Sequence, residues 1–155
     1  MRAVLDGKYS ATETLIWAVK DKGAKKYTFN KKAAKAFGIG SVGANVWVLP
    51  ICTGGQRLKD DDGQKLHSTQ KPIELLKRVI LVSTNEGDLV LDPVAGTGTT
   101  GVVAKALGRD FVMIERNPKY VDGIVRRFEQ PLELSADAGG PDGEKAQKCL
   151  TPQGR

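Results

Sequence analysis

Apolar residues in this chain come in short runs separated by polar, glycine-bearing stretches. "ETLIWAVK", Glu13 to Lys20, has the length and content of a β-strand. "GAKKYTFN" after it reads as a second strand or a loop. "KKAAKAF" has helical composition and stops at Gly38. Gly38, Gly40 and Gly43 mark a loose loop, and "VWVLP", Val46 to Pro50, reads as a short strand closed by proline. "CTGGQRLKDDDGQKLH" is polar loop with a turn at Asp62-Gly63.

From Ser68 the pattern is more regular. In "STQKPIELLKRVILVS", Ile73, Leu76 and Ile80, with Leu75 and Val79 one position round, form an apolar stripe at helical spacing. Ser68 or Thr69 is expected to cap this helix, with Pro72 in its first turn. A strand over Leu89 to Leu91 follows, then the glycine loop "DPVAGTGTTG" and a helix ending at Gly108. "DFVMIE" is a second buried strand. "NPKYVDGIVRRF" is a helix with Asn117 as cap and Pro118 in its first turn. Strand, glycine loop, helix, strand and helix make a βαβ unit, whose right-handed crossover sets the two strands side by side. After Gln130 the periodicity is lost, and the composition is that of a disordered tail. The expected fold class is α/β: a partial Rossmann-like fold with an incomplete parallel sheet and a small insert. The parts are residues 1–66, 67–130 and the tail 131–155.

Composition adds constraints. Forty per cent hydrophobic and 27% charged residues are ordinary for a globular chain. No apolar run approaches the ~20 residues that cross a bilayer, and the N-terminus lacks the apolar core of a signal peptide. The chain is therefore read as cytoplasmic and not membrane-bound. Cys52 and Cys149 have no metal-ligand spacing around them, so idle thiols are expected, with neither disulfide nor metal. Trp17 and Trp47 are expected in the core. The net charge of +6 is uneven. Residues 1–36 hold nine Lys/Arg against three Asp/Glu, and the other 119 residues hold fifteen of each sign. In "KKYTFNKK" the cations Lys25, Lys26, Lys31 and Lys32 interleave with aromatics such as Tyr27, a pattern suited to a phosphate backbone beside stackable bases. A solvated lysine face gives the same pattern.

The glycine loop narrows the chemistry. A P-loop needs Lys-Ser/Thr after its last glycine, and Val102 and Val103 stand there. The dinucleotide fingerprint is literally present as Gly96, Gly98 and Gly101, with the ribose-type acid Glu115 nineteen residues after Gly96. Asp92, however, ends the preceding strand. A carboxylate there repels a pyrophosphate and suits a cofactor carrying an ammonium or sulfonium charge, as S-adenosylmethionine does.

These residues resemble a known family. "DPVAGTGTTG" is similar to the cofactor motif DPFxGSGTT of amino-group DNA methyltransferases, and "LHSTQKPIELL" to their HPTQKP motif. "TETLIWAVKDKGAKKYTFN" and "VWVLPICTGGQRLKD" resemble segments of the adenine-modifying members. Val94 replaces the usual Phe, and Ser68 replaces Pro. The resemblance implies a DNA-binding enzyme of restriction-modification type that uses S-adenosyl-L-methionine, with the adenine amino group its target in preference to that of cytosine. It places Thr69, Gln70 and Lys71 near the methionine part of the cofactor, with Lys71 able to pair with its carboxylate. Asp92, Ala95, Gly96, Thr97, Gly98 and Thr99 line its pocket, and Glu115 binds the ribose. His67 takes a structural role. Double-stranded DNA is the implied partner, met by Lys25, Lys26, Tyr27, Lys31 and Lys32.

In that family a Pro-Pro-aromatic motif holds the flipped base. The seven prolines here are never adjacent, and "NPKY" at Asn117 opens a helix instead. No catalytic residue is therefore assigned. The expectation is one subunit of a split enzyme, completed by a second subunit carrying that motif, or else a truncated gene product. The rival readings are a non-catalytic DNA-binding protein that keeps the fold and a nicotinamide-dependent oxidoreductase.

Overall fold

Helix α2, Ile73–Ser83, is the element around which the rest is arranged. Its apolar stripe divides between two cores. Leu75 packs with Trp47 and Leu49, and Val79 joins them. Ile80 packs with Val102, Val103 and Ala104, and Ile73 joins that group. Leu76 touches both. The structure, a computed structural model, describes residues 2–6, 11–24, 26–38, 46–129, 132 and 134.

On one side of α2 lies a three-stranded sheet of β1 (Arg2–Asp6), β2 (Ala11–Thr14) and β3 (Val46–Pro50), in the order β2-β1-β3. β1 runs antiparallel to β2 and parallel to β3, with Ala3 opposite both Glu13 and Trp47. β3 alternates as its sequence predicts: Trp47 and Leu49 are buried, while Val46, Val48 and Pro50 face out. In a second sheet β4 (Leu89–Asp92) and β5 (Asp110–Met113) pair in parallel, Asp92 opposite Met113. α3 (Thr99–Ala106) joins them, and α4 (Pro118–Glu129) follows. This is the expected βαβ unit, and the architecture is that of a partial Rossmann-like fold. The Asn117 side chain accepts the Lys119 N–H at 3.0 Å and so caps α4 as predicted.

Three expectations need correction. The strand near the N-terminus is Ala11–Thr14, and residues 15–19 leave the sheet, carrying Ile16 and Trp17 outward. Trp17 is 49% exposed and is not core, unlike Trp47. Neither Ser68 nor Thr69 caps α2. Its cap residue is Pro72, which is extended and lacks a side-chain cap, so residues 68 and 69 lie too far upstream to reach the first turn. β1 had no counterpart among the expected elements. The expected tail beyond residue 130 lies almost wholly outside the described residues, as do Lys25, Gly40, Gly43 and Cys149.

α1 (Lys31–Ala36) and the segment before it are stitched to the far end of α2. The Asn30 backbone N–H donates to the Val82 carbonyl at 2.7 Å. Its side-chain amide donates to the carbonyls of Leu81 at 2.9 Å and Thr84 at 2.7 Å. One asparagine thus satisfies carbonyls that the C-terminal turn of α2 leaves open. Among the described residues, no helix is long and apolar enough to cross a membrane.

Candidate functional site

The chain turns sharply where β4 ends. Asp92 closes the strand, and its carboxylate folds forward onto the loop: one oxygen accepts the Val94 N–H at 3.1 Å, the other the Thr100 hydroxyl at 2.6 Å. The carboxylate therefore ties the strand end to the first turn of α3. Gly96 and Gly98 both take positive φ, 55° and 70°, which lets the loop reverse without a Cβ clash. A Cβ on Gly98 would lie 2.9 Å from Cγ1 of Ile124 on α4, so this glycine also permits close packing of loop and helix.

Glu115 lies two residues beyond β5 and braces the same loop. One carboxylate oxygen accepts the Gly96 N–H and the other the Asn117 N–H, each at 2.8 Å. The Asn117 N–H foremost, with those of Gly96 and Arg116 and the nearby His67 ring, holds this carboxyl below the usual carboxylate range, against a smaller upward push from burial.

Arg127, one turn beyond Ile124, was not singled out from the sequence. The residue is 8% exposed, and its guanidinium donates to the Thr97 carbonyl at 3.0 Å and to the Thr99 hydroxyl at 2.9 Å. Burial pushes its pKa down. Nothing local marks Arg127 out from Arg126 beside it, which stays at the surface and pairs with Asp61 at 2.9 Å. Cys52 is a buried free thiol, its pKa raised by burial.

The segment before α2 forms the opposite wall. The His67 ring lies 4.7 Å from that of Tyr120 and would sit 3.5 Å from a Cβ on Gly96. Its Nδ1 accepts the Thr69 N–H at 3.1 Å. Gln70 is buried and spoken for at both ends: its oxygen accepts the Leu58 N–H at 2.9 Å, and its amide donates to the Gln56 carbonyl. It is thereby a brace for the 54–58 loop. Lys71 meets Glu13 from the end of β2, with Nζ 2.7 and 2.8 Å from its two oxygens.

Between these walls opens a cleft of about 170 Å³, lined by Thr69, Gln70, Lys71, Asp92, Ala95, Gly96, Thr97 and Thr99 among the predicted residues. His67, Leu76, Val94 and Thr100 complete it. Gly98 turns toward α4 instead, and Glu115 stands behind Gly96. Val94 at the rim is 82% exposed, a bare position where a larger side chain would form a wall. That volume lies below the ~300–1,000 Å³ typical of small-molecule sites. Among the described residues no cluster of His, Cys, Asp and Glu could hold a metal.

A second surface surrounds Trp17. Its ring meets Tyr27 edge-on at 5.1 Å and Phe29 at 5.5 Å, and Tyr27 is exposed. Lys26, Lys31 and Lys32 are exposed on the same segment. Trp17 is thus an aromatic of this surface that the strand reading of residues 13–20 had placed inside.

Residues 3–126 match the model of a family described as DNA methylase, the N6/N4 methyltransferases. The type II methyltransferase M.HinfI of Haemophilus influenzae is 50% identical over 121 residues, 78% of this chain and 33% of the relative. M2.DpnII of Streptococcus pneumoniae is 41% identical over 125 residues, 81% of this chain and 45% of the relative. The chain thus spans between a third and a half of the length of these relatives. A solved structure from Thermus thermophilus, assigned to the DNA modification methylases, shares the fold with a TM-score of 0.53 at 23% identity, over 84% of this chain and 54% of that one.

Proposed function

Because the chain belongs to the DNA methylase family, we propose that it is the cofactor-binding and DNA-recognition part of an S-adenosylmethionine-dependent amino-methyltransferase acting in the cytoplasm. Residues 67–130 hold the cofactor and residues 1–66 meet double-stranded DNA, with adenine the preferred target. The observation that carries this reading is the pair of carboxylates, Asp92 and Glu115, set at the ends of adjacent strands around a glycine loop that lines the cleft.

The residues present fit this cofactor. Asp92 places a negative charge in the cleft, which favours a cationic ligand and disfavours a pyrophosphate. Glu115 uses one lone pair on each oxygen for a backbone N–H and keeps acceptor capacity for a ribose hydroxyl. Lys71 supplies a cation for a carboxylate. When bound, the cofactor supplies an electrophilic methyl group on sulfur. This chain's part is to hold that ligand and orient it, with the glycine loop fixed by Glu115 at Gly96 and by Arg127 at Thr97. The Pro-Pro-aromatic segment that the resemblance implies for holding the flipped base is not among these 155 residues. Lys25, Lys26, Tyr27, Lys31 and Lys32 meet the duplex.

Calorimetry with S-adenosylhomocysteine tests the reading. Binding by the wild-type chain is expected, weakened at least about tenfold in Glu115→Ala through loss of charge-assisted hydrogen bonds. Equal affinities reject the ribose role, and no binding by the wild type rejects the cofactor.

A further inference from the structure

The cation assigned to the cofactor's carboxylate is already engaged. Both oxygens of Glu13 lie on Lys71 Nζ, at 2.7 and 2.8 Å. The two residues are 58 positions apart and come from different parts of the fold. Glu13 is in β2, whose chain runs on into the surface around Trp17. Lys71 stands just before α2 and lines the cleft. The pair is accessible to an incoming ligand, since the side chains are 43% and 38% exposed.

An ammonium has three N–H donors, and two are directed here at one carboxylate. A ligand carboxylate reaching Lys71 meets a like charge at hydrogen-bond range and must displace it. We propose that Glu13 is an internal competitor for the cofactor's carboxylate at Lys71, so that a residue of the DNA-facing region sets the affinity of the cleft for its amino-acid end. The inference rests on the cofactor reading above and adds a specificity-determining residue to it. The opposite role is also chemically defined: Glu13 could hold the cofactor's ammonium beside a carboxylate on Lys71. The half-exposed position of the pair and its bidentate closure favour competition, because both Glu13 oxygens already sit on the ammonium that a ligand carboxylate needs.

The two roles give opposite results in one experiment on the full chain. S-Adenosylhomocysteine and 5′-methylthioadenosine, which lacks the amino-acid end, are titrated calorimetrically into the wild type, Glu13→Gln, Lys71→Met and the double variant. Competition predicts that Glu13→Gln tightens S-adenosylhomocysteine about two- to fivefold, the scale of releasing a partly exposed ion pair, and leaves methylthioadenosine unchanged. In the Lys71→Met background the tightening disappears. Unchanged or weaker S-adenosylhomocysteine binding in Glu13→Gln overturns the proposal, as does equal tightening of both ligands. If the wild type binds neither ligand, the cofactor reading fails as well. If it binds methylthioadenosine and Glu13→Gln has no effect on either, only the competition fails. Thermal unfolding of each variant reports whether the fold is kept, and the isosteric Gln is expected to keep it.

Discussion

Gly98→Ala separates the two demands that the glycine loop makes on its backbone. The residue sits at φ 70°, where an L side chain costs roughly 1–2 kcal/mol. The new Cβ would also lie 2.9 Å from Cγ1 and 3.2 Å from Cγ2 of Ile124, whose branch point leaves little freedom to move away. Overpacking of this kind adds about 1–3 kcal/mol, for a total of about 2–5 kcal/mol. Gly87 provides the reference: its φ is 81°, and a Cβ there meets nothing within 4 Å, so Gly87→Ala carries the backbone cost of roughly 1–2 kcal/mol alone. Urea unfolding of both variants, read by circular dichroism, gives the steric part by difference. A double-mutant cycle with Ile124→Ala, which removes both offending carbons, should return about 1–3 kcal/mol of coupling. If Gly98→Ala costs no more than Gly87→Ala, the loop is not held against α4 and the geometry assigned to the site is wrong.

Arg127→Met leaves the Thr97 carbonyl and Thr99 hydroxyl without their donor, and a loss of about 1–3 kcal/mol is expected in the same urea assay; an unchanged or raised midpoint refutes the bracing role of Arg127. Glu115 has its pKa depressed in the folded state, so its contribution is complete above the unfolded value of about 4.3 and drains away as pH falls below it. Glu115→Gln should therefore flatten the acid limb of the stability curve in that window, and a limb as steep as the wild type's counts against the bracing role. Replacing Lys26, Lys31 and Lys32 together by alanine should reduce the slope of log K for DNA against log salt by about 2.7 if each meets one phosphate, and an unaltered slope removes the segment from the interface.

The parts of the fold legible from the sequence are those governed by neighbours along the chain. Asn117 and Pro118 start α4, Gly108 stops α3, and the alternation in "VWVLP" sorts β3 into inner and outer faces, because caps, fixed φ values and side-chain periodicity act within a few residues. The glycine loop with an acid on either side was visible for the same reason, and with it the kind of ligand it suits. Contacts across space carry no such mark. The sequence has no local sign that Arg2–Asp6 pairs in parallel with Val46–Pro50, or that "LIW" after β2 turns outward and leaves Trp17 beside Tyr27. Gln70, which lines the cleft, also holds backbone groups of residues 56 and 58. Arg127 meets Thr97 thirty residues away, and Lys71 meets Glu13 across 58. Local sequence decided what the loop and helices are, through sterics and hydrogen bonds that close within a turn. Tertiary structure alone decided which charges face one another, because that depends on which elements pack together, and packing is settled by the burial of the whole chain.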